Sequence, residues 1–485
     1  MMNLGKAGQV ATLHCTIPYS VEAVTAVTCS ARGSRGAEAA MTAAVAGPGR
    51  LPLLVILGAT GTGKSKLAIE MARRFGGEVI SADSMQVYRG LDIITNKVTE
   101  EEQKMCPHHM ISFVDPLVTN YTVTDFRNKA LPIISVRKLP IVVGGTNYYI
   151  EALLWKVLLD SKVDRATAEE GGSDGWREDR KEALERSDPT ELHRMLSKVD
   201  PAMAARIHPH DVRKLARSLQ VYEELGVPHS ELLLRQQLEE GGGPLGGPLR
   251  FPLTCILWLH AQQDVLGERL DARVEQMMSQ GLLSELSLFH QRHNQQRLAS
   301  GSHDYEHGLF QSIGFKEFHG FLTRPAECRP EQEAVLLQQG VEALKLATRR
   351  YARKQNKWVK NRFLKRPGPA VPPVYGVDVT DVSRWEDTVL EPALRMLSSI
   401  VKSETPPVEP LCREPVEPGS KRRRHDCSAC GRVVMGDEPW RAHLKSKGHQ
   451  HHLRRERNPH GDRGRAHDSA ATPPVTPLTE VTATS

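Results

Sequence analysis

The chain lacks any long apolar segment. Its 485 residues contain no run of about 18 apolar residues, so no transmembrane helix is expected. Hydrophobic residues make up 39% and charged residues 25% of the chain, proportions that are ordinary for a soluble globular protein. A chain of this length has room for two or three domains. We expect a monomer that has no membrane partner.

Closely spaced cysteines are also scarce. Of the eight cysteines, only Cys427 and Cys430 lie near each other in sequence. This distribution excludes the disulfide framework of a small secreted domain and favours a reducing compartment.

Residues 1–50 contain few charges, namely four Lys or Arg and two Asp or Glu. An acid-poor leader of small residues is compatible with a mitochondrial transit peptide, and a disordered extension is the alternative. We expect the protein in the mitochondrion and the cytoplasm. The basic run Lys421–Arg424 (KRRR) leaves a nuclear location open.

Positive charge is concentrated in a few places. The net charge is only +6, but Thr348–Arg366 carries nine Lys or Arg and no acid. Such a block favours a polyanionic partner, nucleic acid before membrane, although a solvated helix face also explains it.

Short apolar segments alternate with helical patterns along the chain. Helices are predicted at Ser65–Phe75, within Val265–His290 and within Glu333–Phe363. Strands are predicted at Leu53–Leu57, Glu78–Ala82, Pro140–Val143 and Thr254–Leu259. This alternation predicts an α/β fold with a P-loop-type parallel, doubly wound sheet.

Changes in composition divide the chain into segments. We predict a leader at 1–50, a P-loop catalytic core at 51–160, a mostly helical insertion at 161–249, a return to the core with a helical C-terminal part at 250–400, a Pro-rich linker at 401–424, a small zinc finger at 425–455 and a disordered tail at 456–485.

The stretch GATGTGKS, residues 58–65, fits the pattern G-x-x-x-x-G-K-[ST] between a strand and a helix. In such a loop backbone N–H groups surround phosphate oxygens, Lys64 adds positive charge and Ser65 can bind Mg²⁺. We therefore predict phosphate binding by Thr60, Gly61, Thr62, Gly63, Lys64 and Ser65. The pattern does not say which phosphate compound is bound.

A nucleotide hydrolase also needs an acidic residue at the end of a neighbouring strand. The third predicted strand runs into Gly144 and the fourth into His260. The second runs into Asp83, at the edge of the sheet where ligands bind in open α/β folds. Polar and aromatic residues (SMQVY) follow Asp83, in place of the sequence that continues an ATPase's acidic strand end, so an ATPase is a poor fit. Asp83 could instead cap a helix.

Seven blocks occur along the chain in the order GATGTGKS, SADSMQVY, HHMISFVDP, PIVVGGTNYYI, RSLQVYEE, QSIGFKEF and RRYARKQNKWVKN. Together they resemble the tRNA dimethylallyltransferase (tRNA isopentenyltransferase) family over residues 53–370. The resemblance implies transfer of a dimethylallyl group from its diphosphate to N6 of the adenosine at tRNA position 37, beside the anticodon. It implies tRNA and dimethylallyl diphosphate as partners and Mg²⁺ as a cofactor.

The resemblance also assigns roles to individual residues. Asp83 matches the family's general base, and Thr146 matches its threonine near the loop and the diphosphate. Ser84 and Gln86 match residues that contact the target nucleotide. Arg217 and Gln220 match a block on the RNA-facing side of the family. The tRNA contacts expected are therefore Asp83, Ser84, Met85, Gln86, Arg217 and Gln220, and the outer face of the basic block adds Arg349 and Arg353 as phosphate contacts.

Two aromatic residues of the basic block have more than one interpretation. Tyr351 and Trp358 are seven residues apart and share a helix face, so they could stack on bases. They could also form the buried stripe of the helix, which we favour for Trp358. For the adjacent His108 and His109 we expect a structural or RNA-contact role, because adjacent histidines rarely bind one metal.

Two departures from the family pattern stand out. Lys66 occupies a position where the family has a small hydroxyl residue. The stretch between Phe126 and Pro140 is shorter than the family's spacing and contains Pro132, which should interrupt a helix. A shortened helix beside the active site could leave a weakened or inactive enzyme.

A metal-binding pattern follows the linker. Two cysteines and two histidines are spaced as Cys427-x2-Cys430-x12-His443-x5-His449, which suits a tetrahedral structural Zn²⁺. A helix at Glu438–Lys447 is predicted to bring both histidines to one face. A zinc finger in this position resembles eukaryotic members of the same family.

Two other classes of function stay open at this stage. A P-loop small-molecule or polynucleotide kinase with a nucleic-acid-binding finger would share the phosphate loop. A nucleic-acid-binding protein without activity would result if the short segment before Pro140 destroyed the fold.

Overall fold

The computed structural model describes residues 51–134, 138–156, 180, 183–243, 246–295, 298, 305, 307–365, 371–412 and 423–457. The predicted leader, residues 161–179 of the predicted insertion and nearly all of the predicted tail lie outside the described residues.

A six-stranded parallel sheet forms the centre of the fold, with strand order β3-β2-β4-β1-β5-β6. Its strands are β1 (Leu53–Gly58), β2 (Glu78–Ser81), β3 (His108–His109), β4 (Pro140–Val143), β5 (Thr254–His260) and β6 (Val374–Asp378). Val55 of β1 lies between Val142 of β4 and Ile256 of β5. The four predicted strands are confirmed, and the two edge strands β3 and β6 were missed.

Helices cover both faces of the sheet, so β1, β4 and β5 are almost entirely buried and mostly apolar. Successive residues of β1 point to opposite faces. Leu54 and Ile56 pack with helix α1 (Lys64–Phe75), while Val55 and Leu57 join a larger core on the other face. Further helices of this part are α2 (Glu100–Met105), α3 (Val123–Ala130) and α4 (Asn147–Leu154).

Helix α3 ends before Pro132, as the sequence predicts, and a 3₁₀ turn at Leu131–Ile133 follows it. The ring of Phe126 stacks on Tyr149 of α4 with centroids 4.0 Å apart. The short segment therefore still contributes to the core.

The insertion forms a helical unit with its own small core. Its helices are α5 (Pro189–Val199), α6 (Pro201–Ala204), α7 (Val212–Leu225) and α8 (His229–Leu238). The buried carboxylate of Asp200 joins two of them, because it accepts the Met203 N–H at 2.9 Å and the Ser230 N–H at 2.8 Å. The helical patterns predicted for this region are confirmed.

The region after β5 contains α9 (Gln263–Ser279), α10 (Leu282–Phe289), α11 (His319–Leu322), α12 (Pro330–Val359) and α13 (Glu391–Val401). The helical pattern predicted within Val265–His290 is confirmed as two helices, α9 and α10, which are separated at Gly281 with φ 96°. Within the described residues, no helix is both long and apolar enough to cross a membrane.

The C-terminal module pairs β7 (Arg424–Cys427) with β8 (Arg432–Met435) and adds α14 (Asp437–Lys445) and α15 (Lys447–Arg457). The single helix expected at Glu438–Lys447 is corrected to two helices, because Ser446 is extended and its Oγ accepts the His449 N–H at 3.2 Å. Arg424 belongs to this module and not to the linker, and Glu456 and Arg457 are helical rather than part of a disordered tail.

Candidate active site

The phosphate loop connects β1 to α1 as its sequence predicts. Gly61 and Gly63 both adopt φ +80°, a conformation that favours glycine. The Lys64 ammonium donates to the carbonyl oxygen of Ala59 at 2.8 Å. Thr62 is buried, and its hydroxyl donates to the same carbonyl at 2.8 Å. Thr62 therefore helps to shape the loop, while Thr60, Gly61, Gly63, Lys64 and Ser65 line a cavity beside it.

Asp83 lies at the carboxyl end of β2 and lines the same cavity. Its Oδ1 accepts the backbone N–H of Met85 at 2.9 Å. The residues that follow form turns rather than an α-helix, so the helix-cap interpretation is wrong. The carboxylate orders its own turn and still faces the cavity that the phosphate loop borders.

Thr146 follows β4, the neighbour of β2, so the two strand ends meet. Its Oγ1 accepts the Ser84 N–H at 2.9 Å and donates to the Ser84 Oγ at 3.2 Å. The hydroxyl of Tyr351 also hydrogen-bonds to Thr146. Thr146 thus holds Ser84 in place, and Ser84 is the one of this pair that lines the cavity.

Two arginines that sequence reasoning missed complete the polar wall. Arg269 and Arg273 of α9 line the cavity. Arg273 donates to the Thr60 Oγ1 at 3.1 Å, and Arg269 donates to the carbonyl oxygens of Val379 and Thr380 at 3.1 Å each. Their spacing of four residues places them on one helix face, a signal that could have been noticed in the sequence.

Burial changes the proton affinity of three charged groups in this wall. It raises the pKa of Asp83, while the nearby Lys64 and Arg273 partly oppose that rise. Burial lowers the pKa of Lys64 from 10.5 to about 8, and Asp83 limits the fall. Burial likewise lowers the pKa of Arg273 to about 10. A carboxylate with raised proton affinity therefore faces cations that favour its ionised form.

The cavity has a volume of about 650 Å³, within the range of small-molecule sites. Ser84, Met85 and Gln86 line it together with Asp83. The Oε1 of Gln86 accepts from the Ser81 hydroxyl at 2.8 Å, and its Nε2 donates to the carbonyls of Thr95 and Asn96 at 3.1 and 2.9 Å. Of the two polar atoms of the Gln86 amide, only the nitrogen can donate to carbonyls, so these contacts fix the orientation of the amide group.

The other expected tRNA contacts lie away from this cavity. Arg217 of α7 is exposed and donates to the buried Gln220 at 3.1 Å, while Gln220 donates to Glu224. Arg349 and Arg353 border a shallow pocket against α9, where Arg349 pairs with Asp271. The face of α12 that enters the cavity carries Leu344, Thr348, Tyr351 and Gln355.

The two aromatic residues of α12 have separate surroundings. Tyr351 lines the cavity. Trp358 donates from Nε1 to the Glu151 carboxylate at 2.7 Å and makes an edge contact with Tyr148, with centroids 4.3 Å apart. Trp358 therefore contacts α4 but is only half-buried, so the favoured interpretation as part of the buried stripe is confirmed only in part.

The adjacent histidines contact different partners. His108 bonds through Nδ1 to the carbonyl oxygen of Cys106 at 2.8 Å, and His109 bonds through Nε2 to Glu78 at 2.7 Å. Lys66 lies at the edge of the cavity with its ammonium 4.6 Å from the ring centroid of Trp385, a cation–π contact.

Four ligand atoms converge in the C-terminal module, those of Cys427, Cys430, His443 and His449, all within 4.8 Å of one another. The His449 Nδ1 lies 3.4 Å from one sulfur and 3.3 Å from the other. Such separations are close to the roughly 3.5 Å between N and S ligands of a tetrahedral zinc ion. The buried Nε2 of His443 has no hydrogen-bond partner among the described residues. The donor set fits Zn²⁺.

Comparison with known proteins places the chain in a family. A model of the family described as IPP transferase matches residues 86–362, and one described as isopentenyl transferase matches residues 51–108. The tRNA dimethylallyltransferase of Mus musculus is 61% identical over 84% of this chain and 87% of its own length. That of Homo sapiens is 59% identical over the same shares.

A solved structure agrees with these sequence matches. The structure of a eukaryotic dimethylallyltransferase acting on tRNA covers 84% of this chain and 98% of its own, with a TM-score of 0.68 and 30% identity. The chain therefore belongs to the tRNA dimethylallyltransferase (IPP transferase) family.

Proposed function

We propose that this protein transfers a dimethylallyl group from dimethylallyl diphosphate to N6 of the adenosine at position 37 of tRNA. The observation that carries the proposal is the cavity in which Asp83 faces a phosphate loop and the partly buried cations Lys64 and Arg273. Membership of the family supports the reaction class.

The phosphate loop fits the leaving group. As the carbon–oxygen bond of the donor breaks, negative charge develops on the diphosphate. Lys64 and Arg273, with the backbone N–H groups at the start of α1, would stabilise that charge inside the cavity. Ser65 lines the cavity and would hold Mg²⁺, which would neutralise charge on the diphosphate.

The carboxylate fits the acceptor. The exocyclic amine of adenosine loses a proton as its nitrogen bonds to carbon. Asp83 would take that proton, and its raised pKa makes it a stronger base than an ordinary carboxylate. The turn that Thr146 supports would place Ser84 beside the amine.

The remaining expected contacts fit a folded RNA substrate. Ser84, Met85 and Gln86 would hold a base that has left its stack, at a cost of a few kcal/mol. Arg217 and Arg353 are exposed cations that can contact phosphates elsewhere on the tRNA. Zn²⁺ would hold the finger, whose Arg441, Lys445 and Lys447 suit the same role.

One assay separates this function from a kinase. The protein is incubated with unmodified tRNA and either labelled dimethylallyl diphosphate or ATP labelled at the γ-phosphate. We expect label in the tRNA only from the diphosphate, on the adenosine beside the anticodon. Transfer from ATP would support a kinase, and transfer from neither would contradict both activities.

A variant pair tests the assigned base. Asp83→Ala should lower the single-turnover rate by roughly 10² to 10⁴-fold, the usual contribution of a general base, while tRNA still binds. The exposed Asp387 provides a matched control, because Asp387→Asn should retain the full rate. A near-normal rate for Asp83→Ala would rule out its role as the base.

We also propose that the protein acts in the mitochondrion and the cytoplasm, on the composition of residues 1–50. A fluorescent fusion of the full chain should show mitochondrial signal that disappears when residues 1–50 are removed. If Lys421–Arg424 serves as a nuclear signal, its replacement by alanines should reduce nuclear fluorescence.

A further inference from the structure

The loop Leu91–Asn96 forms one wall of the active-site cavity without regular secondary structure. Ile94, Thr95 and Asn96 line the cavity. The loop begins and ends on non-glycine residues with positive φ, 53° at Leu91 and 51° at Asn96. Such residues are uncommon and persist only where the surrounding structure holds them.

Glu285 of α10 holds this loop from behind. One carboxylate oxygen accepts the Ile93 N–H at 2.8 Å and the other accepts the Ile94 N–H at 3.1 Å. Glu285 lies 192 residues after Ile93 and 191 residues after Ile94 in the sequence. Glu285 itself does not line the cavity, so it can act only through the loop.

The same loop orients a residue that faces the substrate. The Nε2 of Gln86 donates to the carbonyls of Thr95 and Asn96, the last two residues of the loop. Ile94 packs so closely on Gly314 that a Cβ there would lie 2.2 Å from its Cδ1. A displacement of the loop would therefore move both the cavity wall and the amide of Gln86.

We propose that Glu285 is a positioning residue for the nucleoside half of the site, holding Leu91–Asn96 so that Gln86 and the cavity wall fit the target adenosine. The inference rests on the proposed function. The groups assigned to the diphosphate lie on the phosphate loop and α9, outside this loop. Glu285 should thus affect recognition of tRNA and leave recognition of the donor unchanged.

Glu285→Gln tests the proposal with little change in volume. It retains one acceptor and turns an amide N–H₂ group toward a backbone N–H that then has no partner. We expect faster hydrogen exchange at Ile93 and Ile94, and a KM for tRNA raised about tenfold, as for loss of one charge-assisted hydrogen bond. The KM for dimethylallyl diphosphate should stay within about twofold of the wild-type value.

Two further variants make the result specific. Ser284→Ala, at an exposed neighbouring position of α10, should change none of these quantities. Glu285→Asp keeps the carboxylate and should restore part of the tRNA recognition. If the Gln variant does not fold, the KM for tRNA of the Asp variant tests the proposal instead. Unchanged exchange at the loop, or equal changes in both KM values, would overturn the proposal.

Failure of the proposed function can be told apart from failure of this inference. If the wild-type protein transfers no label from dimethylallyl diphosphate, the function is wrong. Hydrogen exchange and the Kd for tRNA still decide the role of Glu285 in that case, because neither requires turnover. Loss of loop protection with an unchanged Kd would then contradict the positioning role.

Discussion

Gln355 and Thr60 are joined by a hydrogen bond although 295 residues separate them in sequence. The Thr60 N–H donates to the Oε1 of Gln355 at 2.9 Å, and the Nε2 of Gln355 donates to the carbonyl oxygen of Gly145 at 3.3 Å. A buried amide of α12 thus connects the phosphate loop to the turn after β4. It also occupies the Thr60 N–H of the loop, so a bound phosphate would use the other N–H groups of the loop.

Replacement of Gln355 should loosen the phosphate loop. In Gln355→Ala the partly buried Thr60 N–H and the buried Gly145 carbonyl lose their partner. An unsatisfied buried group costs about 1–3 kcal/mol, and we expect kcat/KM for dimethylallyl diphosphate to fall at least about tenfold. Steady-state kinetics with varied donor measure this. The exposed Gln338 of the same helix gives the control, since Gln338→Ala should match the wild type. Equal kinetics for both variants would contradict the role of Gln355.

The pH dependence of kcat/KM for the donor should be bell-shaped. Lys64 has a pKa of about 8, so its positive charge is present below that pH and is lost above it, where donor binding should weaken. Asp83 must be ionised to act as a base, so activity should rise as pH increases through its raised pKa. In Lys64→Arg the alkaline fall should disappear because arginine stays charged. Persistence of that fall would assign it to another group.

Arg273 should influence both substrates of the reaction. Its charge lowers the pKa of Asp83, so in Arg273→Gln the acidic limb of the kcat profile should move to higher pH. The KM for dimethylallyl diphosphate should rise as well, because a cation leaves the cavity. Arg292→Gln, at an exposed position after α10, should change neither quantity. An acidic limb that stays in place would show that Arg273 does not act on Asp83.

Gly63 should tolerate no side chain. A Cβ at this position would lie 2.7 Å from the ring of Trp385, and φ is +80°. Gly63→Ala should lower the free energy of unfolding by more than the roughly 1–2 kcal/mol of backbone strain alone. Thermal unfolding against Gly76→Ala isolates the clash, because Gly76 has φ +62° and no atom within 4 Å of its Cβ position. Equal losses in the two variants would exclude the clash.

Metal removal should affect tRNA binding more than donor binding. We expect one zinc ion per chain by elemental analysis, and none in Cys427→Ser. Without it the finger should lose its fold, which raises the Kd for tRNA and leaves the KM for dimethylallyl diphosphate unchanged. Cys328 lies outside the cluster, so the variant Cys328→Ser should still contain one zinc ion per chain. Full zinc content in Cys427→Ser would contradict the ligand assignment.

The predicted part of the fold is the part whose signals are local. Strands β1, β2, β4 and β5 occupy the middle of the sheet, and burial on both faces gives them nearly continuous apolar sequences. The edge strands β3 and β6 were missed, because two histidines or a segment with Gly376 become a strand only by pairing with a neighbour. The local sequence of these two strands contains little signal for that pairing.

The candidate site was predicted unevenly for a related reason. The phosphate loop, Asp83 and Thr146 follow strand ends, and parallel strand ends meet at one edge of a sheet. Arg273 and Glu285 belong to helices after β5, and no short pattern connects them to that edge. Their contacts to Thr60 and Ile93 span 213 and 192 residues.

The sequence by itself determined the phosphate loop, the acid after β2 and the four Cys and His residues of the C-terminal cluster. Each depends on neighbouring residues whose spacing sets their geometry. Only the tertiary structure decided which face of α12 enters the cavity, so that Gln355 contacts the loop while Arg353 stays exposed. Successive residues of a helix point in different directions, and the packing of the helix against the rest of the chain determines which of them face the site.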